Sequence, residues 1–168
     1  DRLFYLRGFS GKIGGSNHHP GFVPPVYDML AEDGFLTEGM LALKQLGIAI
    51  AAAAGTPREA ELRSERKQLS QLLQGQLFDA YSFLNLAGES KSLRAIFKNE
   101  GLLVPPAAAG ECAGPKLLQF AFAHGLRPLA LAEFWWGAPT RGDYRHVSFH
   151  APCADKCEPI LGHMLNGL

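Results

Sequence analysis

The chain has no excess of either charge: Lys plus Arg and Asp plus Glu number 16 each, so the net charge is zero with neutral His. A generic basic coat for nucleic acid is therefore excluded, and any such contact must use a local patch. Long apolar runs are also missing. The best, Ile48–Ala54, is short and Ala-rich, so no membrane contact is expected. No secretory leader pattern stands at the N-terminus. Cysteine is scarce, with three in 168 residues. An odd number in a chain too large to need staples points away from a disulfide framework. It points towards a reducing, cytoplasmic compartment and towards metal or reactive thiols. Gly8, Gly11, Gly14 and Gly15 do not fit the phosphate-loop spacing, and no Ser nucleophile elbow is present. The chain opens on Asp1 rather than Met, which suggests a piece of a longer protein.

What is present is globular composition, 47% hydrophobic and 19% charged, enough for one domain spanning 1–168. Residues 1–14 alternate in part and read as one or two short strands. Residues 15–25 form a Gly/Pro/Asn/His loop. Residues 37–54 read as a helix, although LGIAIAAAA also fits a buried strand. The segment 56–86 gives the clearest helix, with Thr56 to cap it and Pro57 at its first position. A short helix from Ser90 to Lys98 follows, and 111–125 reads as another helix. Residues 127–136 read as a buried strand and 144–151 as a second strand. Pro152 then opens a last helix, which Pro159 should reshape. The expected fold is α/β: a small mixed sheet flanked by helices, with 56–99 as a helical insertion.

All three cysteines fall at expected helix starts. Cys153 and Cys157 lie four apart, one helical turn, and Cys112 opens the preceding helix. A helix N-terminus favours the thiolate, and thiolates are good zinc ligands. Three protein ligands leave one tetrahedral position for water, whose pKa zinc lowers to about 7. A fourth protein ligand, His150 or His146, would instead close the site and make it structural. Buried, unlinked thiols are the plainer alternative.

This order, a ligand at one helix start and then Pro-Cys and a second Cys opening the next, resembles the zinc-dependent nucleoside and nucleic-acid deaminases. The resemblance implies a three-layer α/β/α fold, Zn²⁺ on Cys112, Cys153 and Cys157, and a nucleobase substrate, free or in single-stranded nucleic acid. Two departures stand out. Three residues, Ala154, Asp155 and Lys156, separate the second pair, and Gly114 stands where the family carries its proton-shuttling Glu. Glu111 is the nearest replacement and Glu133 the alternative.

The stretch GECAGPKLLQFAFAHGLRPLALAEFWWG is similar to the long N-terminal region of some bacterial RluA-type pseudouridine synthases. The likeness continues through APCADKCEPILGHMLNGL and back through ERKQLSQLLQGQLFDAYSFLN, covering most of the chain. It implies a role around structured RNA beside a catalytic synthase domain. Synthase activity itself does not carry over, because Arg2-Leu3 is followed by Phe4 and no Arg-Leu-Asp occurs.

Asn17 and His18, in the Gly/Pro loop, are candidate substrate contacts; plain solvated loop residues are the alternative. Trp135 and Trp136 point to opposite faces of a strand, so one is expected in the core while Trp136 is the candidate to stack on a base. The basic residues of the middle helices, Arg58, Arg63, Arg66, Lys67, Lys91, Arg94 and Lys98, either track an RNA backbone or form a solvated face laced with Glu59, Glu61, Glu65 and Glu89. Two functions follow from these residues: a zinc deaminase-like enzyme, or a non-catalytic, zinc-stabilised RNA-binding accessory domain.

Overall fold

A computed structural model describes residues 3–102, 104–138 and 145–166. The chain is mixed α/β. Among the described residues there are five helices, α1 Phe35–Ala52, α2 Pro57–Ala80, α3 Leu93–Asn99, α4 Ala113–Ala123 and α5 Glu158–Met164, and two strands, β1 Ser82–Leu84 and β2 Ser90–Ser92. They divide into two compact units: Tyr27–Ala80, and Asp1–Val26 together with Tyr81–Leu168. The intervening helical segment thus runs from 27 to 80, and α3 belongs to the larger unit.

Unit 27–80 is a helical hairpin. Ala53 closes α1 through its N–H to the Ala49 and Ile50 carbonyls, and Gly55 takes φ 77° to turn the chain. Pro57 then starts α2, as its fixed φ and missing N–H favour. Glu59 accepts from the Gly55 N–H at 2.9 Å and pairs with Arg63 at 2.7 Å. These two contacts hold its carboxyl below the usual range. The helices approach closely at Gly39, where an added Cβ would collide with the methyls of buried Leu73. Over 18 residues α1 has a mean hydropathy of 1.3, long and apolar enough by length and composition to cross a membrane. Counting uninterrupted apolar residues missed this, because Glu38, Lys44 and Gln45 break the run without lowering the average much.

In the larger unit, α2's expected continuation to 86 is replaced by a hairpin. Ser82, Phe83 and Leu84 pair antiparallel with Ser92, Lys91 and Ser90. Ser92 then caps α3, its Oγ accepting from the Ala95 N–H at 3.2 Å. The core lies between this hairpin, α3, α4 and α5, where Phe83, Phe97, Ile160 and Met164 are wholly buried.

The sheet is smaller than expected. Among the described residues it is one two-stranded antiparallel hairpin, not a mixed sheet flanked by helices. Residues 3–14 form no strand; they are fastened by single bonds, including Val23 N–H to the Arg7 carbonyl at 2.8 Å and Gly11 N–H to the Glu111 carbonyl at 3.0 Å. The buried strand expected over 127–136 is corrected too. Leu129 and Trp136 are 75% and 73% exposed, and among the described residues the segment meets 145–151 around the pair Phe134 and Phe149. Apolar residues alone do not make a central strand when no neighbours cover both faces. Tyr144, at the start of that second segment, lies outside the described residues.

Candidate metal centre

The cysteine centre is built at two helix heads. Cys112 is the N-cap residue of α4, and Cys157 the N-cap residue of α5. Cys153 lies one turn earlier, its carbonyl accepting from the N–H groups of Cys157 at 3.1 Å and Glu158 at 3.2 Å. That folded turn brings the Cys153 and Cys157 sulfurs to 3.3 Å. All three sulfurs lie within 4.8 Å of one another. A tetrahedral ion with Zn–S bonds of about 2.3 Å wants sulfurs about 3.8 Å apart, so the set fits a metal with small adjustments.

Cys112 is free to serve as a ligand because other side chains cap its helix. Its own side chain makes no capping bond. Ser10 Oγ accepts from the Ala113 N–H at 3.1 Å, and Glu133 Oε1 accepts from the Gly114 N–H at 2.8 Å. Two of the orphan donors of α4 are thus satisfied from distant parts of the chain.

Cys112 and Cys157 are electrostatically distinct. Hydrogen bonding from the Cys157 thiol, aided by Cys153 and Lys156, brings Cys112 down to about 7 against burial and the nearby Glu133 carboxylate. Cys157 is pushed up, first because it gives that hydrogen bond to Cys112 and second because it is buried. The Cys157 thiol thus donates to the Cys112 sulfur. A divalent cation would replace the shared protons.

Placement of the other candidates is mixed. Glu111 is buried and turned into a separate network: Tyr81 Oη donates to its carboxylate, and Lys116 Nζ lies at 3.3 Å. Glu133 instead reaches the centre. Its Oε1 lies 3.3 Å from where a Cβ on Gly114 would stand, so a carboxylate occupies the neighbourhood that Gly114 leaves open. Among the described residues the metal group contains the three sulfurs and no histidine. His150 Nε2 is paired with Ser148 Oγ at 2.7 Å, and His146 Nδ1 accepts from the Gly137 N–H at 3.3 Å. Asn17 is buried and His18 exposed, and neither joins the sulfur group. Trp136 is exposed, with its ring 4.5 Å from that of His146.

Sequence reasoning missed Ser10, Tyr81 and Lys116. Ser10 lies 103 residues from the N–H it caps, a distance at which no local pattern operates. Lys116 is 2% exposed, its ammonium held by Glu111, the Phe9 carbonyl at 3.4 Å and the face of the Phe9 ring. A shallow cavity of about 370 Å³ adjoins the centre, lined by residues that include Glu133, His150 and Pro152. No protein-family model, curated protein or solved structure matches this chain.

Proposed function

We propose that this chain is a zinc-stapled accessory module that engages structured RNA beside an RluA-type pseudouridine synthase domain. The observation that carries the reading is the three-sulfur group at the heads of α4 and α5, in a unit whose sheet, among the described residues, is one hairpin of three-residue strands. A structural ion supplies folding free energy where regular pairing is sparse. The RNA partner follows from the resemblance over 110–137, and a basic depression in the helical hairpin unit supports it. Arg63, Arg66 and Lys67 line a hollow of about 490 Å³ with Gly47, Ile50, Ser70 and Gln71. Arg63 is already paired with Glu59, so Arg66 and Lys67 are the cations the hollow offers to phosphate. The test is metal analysis of the chain and of Cys112→Ala, with RNA binding measured on both. One zinc per chain, lost in the variant, and RNA binding that weakens as salt rises are expected. A metal-free chain, or one indifferent to RNA, overturns the proposal.

A second reading is a deaminase-type hydrolytic centre on a nucleobase, and Glu133 is the observation that favours it. Its carboxylate beside Gly114 stands near where that family holds a proton carrier. A zinc ion with an open fourth position would activate water there. The small sheet weighs against the three-layer fold that this reading implies. Ammonia release from cytidine, adenosine or single-stranded oligonucleotides, lost in Glu133→Gln with zinc retained, would establish it. No product from any of them would remove it.

A further inference from the structure

Residues 133–136 and 147–150 form a short antiparallel ribbon. Trp135 N–H donates to the Ser148 carbonyl at 2.9 Å, Val147 N–H to the Trp135 carbonyl at 2.7 Å, and His150 N–H to the Glu133 carbonyl at 3.1 Å. Phe134 and Phe149 are therefore the pair between these bonds, where opposing side chains stand closest. Their rings meet edge to face at 5.8 Å, and Phe134 meets Trp136 at 6.3 Å. These three rings share one side of the ribbon, and they are 49%, 69% and 73% exposed for Phe134, Phe149 and Trp136. Aromatic area of this size normally goes into a core.

The ribbon carries local backbone strain. Trp135 pairs with both Val147 and Ser148, a bulge, and Val147 takes φ 63°. A β-branched residue in the left-handed region is an outlier. Ser148 Oγ braces the turn by donating to the Arg145 carbonyl at 2.6 Å and accepting from its N–H at 3.0 Å. The bulge increases the local twist, and here it accompanies the stacking of His146 beside Trp136.

We propose that this face is a stacking platform for unpaired RNA bases. It rests on the accessory-module reading and names the surface by which the module would hold RNA. Charge favours this occupant. Exposed Arg145 directly precedes His146, whose ring lies against Trp136, and the ribbon's carboxylate, Glu133, is turned to the Gly114 N–H. Bases present a flat π-face to Phe134, Phe149 and Trp136 regardless of sequence, and the phosphates meet Arg145. A duplex keeps its bases stacked on each other and offers no such face.

The experiment is a titration of the full chain with an oligouridine of about ten nucleotides, read by tryptophan emission. A duplex of the same length is the competitor. Stacking should quench the emission, and the duplex should bind at least tenfold more weakly. Trp136→Ala and Phe149→Ala should each weaken binding about five- to hundredfold, whereas Trp136→Phe keeps most of it. Retained zinc content shows that the variants are folded. RNA binding unaffected by both alanine variants, or equal for the duplex, overturns the platform and leaves the accessory module standing. An absence of any RNA binding removes both.

Discussion

The two units solve stability in opposite ways. Unit 27–80 is two long helices joined by a tight turn, and nearly all its bonds are local. The larger unit has three short helices, long irregular segments and few ladder bonds. It depends on contacts between residues far apart in the chain: Ser10 with Ala113, Gly11 with Glu111, Glu133 with Gly114, and three cysteines around one point. Local helices can be read from periodicity and caps. A loop-rich unit is specified by particular side chains, so single substitutions there should cost more.

Metal removal should separate the units most sharply. A strong chelator should destabilise the larger unit on the order of 5 kcal/mol, less than the roughly 10–16 kcal/mol of zinc-finger peptides because a separate apolar core remains. Amide exchange should rise around α4 and α5 and stay unchanged in α1 and α2. Uniform exchange across both units would erase the contrast. Next, Glu111→Ala leaves the buried Lys116 ammonium without its carboxylate. A loss of about 3–5 kcal/mol is expected in denaturant titration. Replacing Lys116 with Met in the same chain should restore much of it.

The pH dependence is smaller. The folded pKa of Cys112, about 7, lies below its ordinary 9.0, so its thiolate contribution is present above the ordinary value and is lost as pH falls through about 7. Below that point a metal ion bound at the three sulfurs would have to displace one more proton. Affinity in a competing-chelator assay should therefore fall by a further factor of about ten per pH unit, a step absent in Cys112→Ala. In the helical hairpin unit the sharpest point is Gly39. Gly39→Ala gains about 1 kcal/mol of helix propensity and loses about 1–3 kcal/mol by crowding Leu73. A net loss of about 1 kcal/mol, confined to this unit, should appear in its thermal transition.

The same contrast explains what the sequence made legible. Pro57, Gly55 and the apolar spacing of 37–54 locate α1 to within two residues and the start of α2 to within one, whereas α2 ends at Ala80 and not at 86. The three cysteines were identifiable as one centre because thiols at helix heads announce their chemistry wherever the chain brings them. The sheet was not legible. Residues 127–136 are apolar in the manner of a buried strand, yet Leu129 and Trp136 face solvent. Periodicity reports side-chain character and not the presence of a neighbour to cover it. The carboxylate beside the sulfurs was also hard to select. Glu111 is adjacent to Cys112 in sequence, but burial with Lys116 and Tyr81 turns it away, and Glu133 arrives from 19 residues beyond Gly114.

The cap that Ser10 provides has a practical consequence for how the protein is cut. A version trimmed past its first ten residues would strip the Ala113 amide of its cap next to Cys112, although no cysteine had been touched. Expression boundaries drawn after the opening loop would then yield a weaker grip on the ion, and the fault would be wrongly laid on the thiols.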